Sequence, residues 1–128
     1  MTAEDERNIH VARRLYEGEQ AERESIAKDI VWHVPGHNPV SGDYHGFAEY
    51  TERMASRMAP LTRWDFTLEE VMVNRNYVMT TFRLSGERKG VQIETRGGHL
   101  LRFDNDGHIV EGWGFTADQN DLDRFFSS

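Results

Sequence analysis

The sequence has no cysteine, few prolines and no long apolar run. The missing cysteine excludes disulfides, thiol nucleophiles and thiolate metal sites, so any chemistry must use His, Asp, Glu, Tyr, Ser or Arg. No apolar run is long enough to cross a bilayer, and the acidic segment "MTAEDERNIH" has no apolar leader. We therefore expect a cytoplasmic protein with no membrane partner.

Positive charge is also scarce. The formal net charge is -7 at pH 7, and no run of Lys and Arg exceeds two residues. Nucleic acids and anionic lipids bind to basic surfaces, so we expect neither as a partner. The 128 residues, of which 38% are hydrophobic, suffice for one packed domain and are too few for two. This predicts a single domain over residues 1–128.

Two helical patterns precede a series of strand patterns. Apolar residues recur at helical spacing over 3–17 and 47–58, and a short helix around 21–28 comes before a strand at "DIVWHV". Alternating segments after residue 60 predict long antiparallel strands, and a short helix over about 119–126 ends the chain. The order predicts an α+β fold: a cone-shaped, curved antiparallel or mixed β-sheet wrapped by the N-terminal helices, with a short C-terminal helix. Such a cone can hold a ligand.

The segment "VWHVPGHNPVSGDYHG", residues 31–46, holds three of the six histidines. They lie on a strand and a loop rich in Pro and Gly, without an HxH or HExxH pattern, so we predict no metal site. Alternation turns Trp32 and Val34 inward as pocket residues. Loop residues often supply polar contacts at a cavity rim, although solvent-exposed histidines on turns are the alternative. The predicted polar contacts are His33, His37, Tyr44 and Tyr77.

The strand pattern over 91–103 has apolar residues at its odd positions, and His99 is the polar residue of that face. Closing the hairpin at "DNDG" is predicted to pair His99 with Gly112 and Leu101 with Val110. Gly112 would then leave space opposite His99, and Leu101 would form a wall of the same pocket. The alternative is that the glycines permit a bend and that His99 is a satisfied core histidine.

The same hairpin predicts an exposed apolar surface. Its register sends Leu100, Trp113 and Phe115 to the outer face of the sheet, where aromatic side chains would form an unexplained apolar patch. We expect this face to form a homodimer.

Two long stretches carry a resemblance to a known family. "DIVWHVPGHNPVSGDYHGFAEYTERM" and "GGHLLRFDNDGHIVEGWGFTADQNDLDRFF" resemble the SnoaL-like branch of the nuclear transport factor 2-like superfamily, which includes ketosteroid isomerases, polyketide cyclases and limonene epoxide hydrolases. The resemblance covers nearly the whole chain and implies a cone-shaped fold with a cavity. It leaves the reaction open, because this superfamily places many functions in one cavity.

The resemblance also implies where catalytic groups of relatives would fall. The ketosteroid isomerase base falls at about Val34 and its helix-one tyrosine near Val11, so both roles are missing, while its second carboxylate falls on His99. The epoxide hydrolase Asp-Arg-Asp set falls on about Thr80, Val78 and Phe115. The resemblance thus implies neither known mechanism and leaves His99 as the candidate catalytic residue.

These observations favour a pocket protein that binds a small apolar organic ligand. The leading hypothesis is a cofactor-independent acid/base enzyme of the isomerase, polyketide cyclase or hydratase/dehydratase type, acting on an apolar ring-containing metabolite through His99. A non-catalytic ligand-binding or accessory protein on the same fold is the alternative. A protein-binding module is a third class.

Overall fold

The computed structural model describes all residues, 1–128. The helices are α1 (Ala3–Arg14), α2 (Glu19–Ser25), α3 (Met54–Met58) and α4 (Gln119–Ser127), with a 3₁₀ turn at Leu15–Glu17 and a π-helical turn at Glu49–Arg53. The strands are β1 (Ile26–Val34), β2 (Gly42–His45), β3 (Leu61–Asn74), β4 (Tyr77–Arg88), β5 (Val91–Phe103) and β6 (Ile109–Thr116). None of the helices has the length and hydropathy needed to span a membrane.

All six strands form one open, mixed sheet in the order β2-β1-β6-β5-β4-β3. Every neighbouring pair is antiparallel except β1 and β6, which run parallel. The predicted α+β fold with a curved sheet and a short C-terminal helix is confirmed. Bulges in β3 and near the start of β6 bend the strands, as bulges do in curved sheets.

Local signals in the sequence position the helices beside the sheet. Thr2 and Asp5 form a capping box at the start of α1, with each side chain accepting a hydrogen bond from the other's backbone N–H. Gly18 has φ +123°, a conformation that favours glycine, and it separates the 3₁₀ turn from α2. This break redirects the chain so that the 3₁₀ turn and α2 both face the interior of the cone.

The β5–β6 hairpin differs from its predicted register by two residues. His99 pairs with Gly114, and Leu101 pairs with Gly112. The carboxylate of Asp104 accepts hydrogen bonds from two backbone N–H groups further along the turn, and the longer turn pairs Phe103 with Ile109, a shift of one residue. A bulge at Val110 of β6 adds the second residue. Because a shift of two residues keeps every side chain on its face, His99 still points inward.

Two apolar clusters hold the cone together. The larger one packs α1 against the sheet and includes Ala12, Ile30 and Leu101, which are fully buried. The smaller one packs Phe125 and Phe126 of α4 beneath the far end of the sheet. Members of both clusters line a cavity inside the cone.

Candidate functional site

The cavity has a volume of about 630 Å³ and a mostly apolar lining. Its walls come from the sheet, the 3₁₀ turn, α2, α4 and the helical segment 49–58. No Lys or Arg lines it. Its ionisable residues are Tyr16, Glu19, Glu22, Tyr50 and His99. Such a lining fits a neutral ligand, because an anionic one would find no countercharge.

His99 forms hydrogen bonds with two hydroxyl groups, those of Tyr16 and Thr80. The hydroxyl of Tyr16 lies 2.6 Å from Nδ1 of His99 and 2.6 Å from Oγ1 of Thr80. The backbone N–H of His99 donates to the same Thr80 oxygen, at 3.3 Å. Thr80 faces His99 directly across the β4–β5 pairing, so the sheet itself fixes two corners of this triangle.

Only one arrangement of the protons gives each of these three groups its hydrogen-bond partners. Thr80 is fully buried, and the Tyr16 hydroxyl is the one acceptor within reach of its own hydroxyl. Since a buried donor without a partner is costly, Thr80 donates to Tyr16, and Tyr16 in turn donates to Nδ1 of His99. The remaining proton of the neutral imidazole then resides on Nε2.

Nε2 of His99 faces the cavity. It has no hydrogen-bond partner in the protein. Since every fully buried side-chain nitrogen and oxygen has a partner, Nε2 is not fully buried and remains accessible. The rings of Trp32 and Phe82 lie 5.0 Å from the His99 ring, measured between centroids. Burial among these rings lowers the pKa of His99 to about 3, so the imidazole is neutral at physiological pH. His99 therefore offers the cavity a neutral N–H donor.

The two inner glycines of β6 have different neighbours. A Cβ at Gly112 would overlap the Trp32 ring, so the missing side chain makes room for the indole. A Cβ at Gly114 would lie 3.8 Å from Cδ2 of His99 and 3.3 Å from Cδ of Pro35. Gly114 therefore keeps the cavity open beside the Nε2 edge of His99.

Two further polar side chains, Glu22 of α2 and Tyr50 of the π-helical turn, line the cavity. Burial raises the pKa of Glu22 and that of the Tyr50 hydroxyl. The widened π-helical turn contributes both Tyr50 and Thr51 to the lining, and such turns often occur at functional sites.

The structure brings three of the residues predicted from the sequence to the cavity: Trp32, Val34 and His99. The other six do not line it, which corrects the predicted set. They are His33, His37, Tyr44, Tyr77, Leu101 and Gly112.

His33 lies on the outer face of the sheet, opposite to its neighbour Trp32, because side chains alternate along β1. Its Nδ1 is 2.7 Å from Oδ1 of Asp43, and its Nε2 is 2.7 Å from Oε2 of Glu111. The ring also stacks on Trp113, with 5.4 Å between centroids. His33 is thus part of an outer ion-pair cluster.

The remaining residues that were predicted to contact a ligand lie outside the cavity lining. Tyr44 is fully buried and donates its hydroxyl proton to the carbonyl of Val40, at 2.5 Å. His37 and Tyr77 are exposed to solvent. Leu101 is fully buried in the larger core cluster. The three histidines of the first segment do not converge, and no group of three or more His, Asp or Glu side chains is arranged to hold a metal ion.

Sequence reasoning missed four polar residues of the site: Tyr16, Thr80, Glu22 and Tyr50. Tyr16 and Tyr50 fit the apolar faces of helices, and Glu22 resembles the other acids of α2. Nothing in the local pattern separates these residues from core tyrosines or solvated acids. Their roles arise where separate elements meet.

The fold and cavity define the class of cone-shaped α+β domains with an internal cavity. A SnoaL-like domain matches residues 12–112, which is most of the chain. The protein therefore belongs to the family of SnoaL-like domains.

Solved structures with the same fold cover nearly the whole chain. A protein of unknown function with a cystatin-like fold from Xanthomonas campestris is 26% identical, with a TM-score of 0.86 over 94% of this chain and 98% of that one. A putative SnoaL-like polyketide cyclase from Jannaschia sp. CCS1 is 17% identical, with a TM-score of 0.83 over 100% and 96%. TerC, co-crystallised with polyporic acid, is 15% identical, with a TM-score of 0.84 over 95% and 99%. No protein of curated function matches the sequence.

Proposed function

We propose that this protein binds an apolar, ring-containing metabolite in the cone and acts on it as a cofactor-independent acid/base enzyme of the isomerase, cyclase or hydratase/dehydratase type. The observation that carries this proposal is the Nε2 of His99, an oriented donor in a mostly apolar cavity of about 630 Å³. A structure of TerC with polyporic acid and a putative polyketide cyclase on the same fold support a small organic ligand.

In this proposal His99 is the catalytic donor. A neutral imidazole whose pKa is about 3 does not take up a proton at physiological pH, so His99 acts by donating a hydrogen bond from Nε2 to a ligand oxygen. A donor of this kind stabilises negative charge that develops on the oxygen, and it does so without reorganisation because Tyr16 already holds the ring.

The test is a thermal-shift screen against steroids, terpenoids, polyketide fragments and lactones, followed by a search for turnover of every ligand that binds. A ligand at about a hundredfold excess over Kd stabilises the native state by about 2.7 kcal/mol. His99→Ala should abolish turnover, whereas the exposed loop variant His37→Ala should retain it. Failure of every ring compound to bind would contradict the proposal.

The alternative is a non-catalytic ligand-binding or accessory protein, which the apolar lining also favours. Under that alternative, compounds from the screen bind and remain chemically unchanged in the presence of wild-type protein. Equal affinity of the wild type and His99→Ala would further favour it.

We also propose that the outer face of the sheet forms a homodimer. Four apolar side chains form one continuous row across it, through the pairings Met72 with Met79, Met79 with Leu100, and Leu100 with Trp113. Phe115, 41% exposed, lies beside the row. No element of this chain covers the row, and a second copy would remove it from water.

A further inference from the structure

Glu22 is the one acid of α2 without a cationic partner. Oε1 of Glu19 is 2.6 Å from the guanidinium of Arg23, and Oε2 of Glu24 is 3.0 Å from that of Arg14. Neither arginine lines the cavity, and Glu24 lies outside it as well. The charges of the helix are thus paired except for that of Glu22.

The surroundings of Glu22 leave its charge uncompensated. It is half-buried and lines the same cavity as His99. Burial raises the pKa of Glu22, the Tyr50 hydroxyl partly offsets this, and the charge of Glu19 adds to it. A partly buried carboxylate is stabilised when a positive charge comes next to it, and this chain supplies none.

The lining that fits a neutral ring therefore also has one place for a positive charge. Its two carboxylates, Glu19 and Glu22, both come from α2, and no Lys or Arg lines the cavity. Beyond Glu22 the lining is aromatic, and Trp32 packs edge-on against Tyr50, with 5.4 Å between the ring centroids. The unpartnered Nε2 of His99 is a separate sign that this cavity receives a ligand.

The complementary charge belongs to an organic ligand rather than to a metal ion. Hard metal cations take six or more oxygen ligands, and no group of three or more acidic or histidine side chains is arranged to hold one. A protonated amine needs fewer partners, because its N–H groups can donate to one carboxylate and one hydroxyl oxygen. Its carbon skeleton suits the apolar part of the lining.

We propose that the cavity takes a ring-containing amine whose protonated nitrogen pairs with the carboxylate of Glu22. This rests on the proposed function and names its substrate class.

The two polar groups of the cavity fix the direction of such a ligand. Nε2 of His99 carries a proton and presents a donor, which an ammonium group cannot accept. The ammonium group therefore goes to Glu22, and an acceptor atom elsewhere on the ligand goes to His99. The amine nitrogen is a binding group in this arrangement and is not a reacting atom.

The experiment compares two ligands of the same shape, 2-aminotetralin and 2-tetralol, which differ in an ammonium group against a neutral hydroxyl. Their affinities for the full chain are measured by isothermal titration calorimetry at about pH 7 and about 0.15 M salt, where exposed charges are screened. Glu22→Gln keeps the size of the side chain and removes its charge. Glu24→Gln removes the same charge from the same helix outside the cavity and is the matched control.

The wild type should bind the amine about tenfold more tightly than the alcohol, since a charged hydrogen bond exceeds a neutral one by about this factor. Glu22→Gln should bind the two ligands equally, whereas Glu24→Gln should keep the wild-type ratio within about twofold.

A second measurement needs no variant and applies if Glu22→Gln does not fold. Carbon-13 NMR of the Glu22 carboxyl group in the wild type should show its pKa lowered by the amine, because a neighbouring cation favours the charged form. The alcohol should not lower it.

The other outcomes separate this proposal from the proposed function. Equal affinity of the wild type for amine and alcohol would overturn the amine class and leave a pocket for neutral rings standing. A preference for the amine that persists in Glu22→Gln, or that disappears equally in Glu24→Gln, would overturn the role of Glu22. Absence of binding of both ligands to the wild type would count against the pocket function and the amine class together.

Discussion

The hydroxyl of Tyr16 lies 2.6 Å from Nδ1 of His99 and joins the helical layer to the sheet. Through this contact, a tyrosine just beyond α1 determines which nitrogen of a strand histidine carries the proton. The same hydroxyl accepts the proton of buried Thr80, so the polar groups behind the site are satisfied. The cavity consequently receives a donor whose direction and protonation state are set before any ligand arrives.

The first prediction concerns the tautomer of His99. Nitrogen-15 NMR should show His99 protonated on Nε2 and unprotonated on Nδ1 across about pH 5 to 8, because burial keeps its pKa near 3. Tyr16→Phe removes the donor to Nδ1 and should release this preference. Tyr77→Phe, at an exposed tyrosine, should leave the spectrum of His99 unchanged. A proton on Nδ1 in the wild type would contradict the proton order.

The second prediction separates two glycines on one strand. Gly112→Ala should lower the free energy of unfolding by about 1–3 kcal/mol, because the added methyl group overlaps the Trp32 ring. Gly114→Ala should leave the free energy of unfolding closer to that of the wild type and weaken ligand binding, since its methyl group enters the space beside His99. Chemical denaturation and a binding titration on both variants give the comparison. The opposite pattern would mean that the cavity does not extend past Gly114.

The third prediction is a pH dependence of stability from His33. Partial burial disfavours its charged form, but the hydrogen bonds to Glu111 and Asp43 outweigh this and raise the pKa of His33 above its ordinary value of 6.5. Both bonds require a doubly protonated ring, because each ring nitrogen faces a carboxylate. The resulting stabilisation is fully present below about pH 6.5 and is lost as the pH rises through the folded-state pKa.

Glu111 limits the same stabilisation at acidic pH. The hydrogen bond from His33 holds the pKa of Glu111 below its ordinary value of 4.5, so its contribution is present above that value and is lost as the pH falls through the folded-state pKa. The free energy of unfolding of the wild type and of His33→Gln should be measured from about pH 4 to 9 by urea denaturation. The difference should be largest between the two pKa values. A difference independent of pH would contradict the assignment.

The fourth prediction concerns the proposed homodimer. Met79→Lys places a charge in the middle of the apolar row on the outer face, so sedimentation at micromolar concentration should show a dimer for the wild type and a monomer for the variant. Val91→Lys changes another exposed apolar residue, outside the row, and should remain dimeric. A monomeric wild type would remove the proposed interface.

The sequence alone predicted the elements and the inward faces of the strands. Period-two alternation places Trp32, Val34 and His99 inward whatever the exact pairing, since a strand side chain has only two faces to choose from. The β5–β6 register was wrong by two residues, because the longer Asp104 turn shifts the pairing by one and a bulge at Val110 of β6 shifts it by one more; the spacing reveals neither. The inward faces were nevertheless predicted correctly, because a shift of two residues keeps every side chain on the same face of the sheet.

Only the tertiary structure decided which polar residues share the cavity. Tyr16 and His99 are 83 residues apart, and Glu22 belongs to a short helix whose other acids, Glu19 and Glu24, are paired with arginines. Hydrophobic periodicity places a residue on a face of its own element, but it carries no information about which side chain of another element meets it. The sequence therefore determined the cone and the inward direction of His99. The packing of the 3₁₀ turn and α2 against the sheet determined which nitrogen of His99 carries the proton and which carboxylate lines the same cavity.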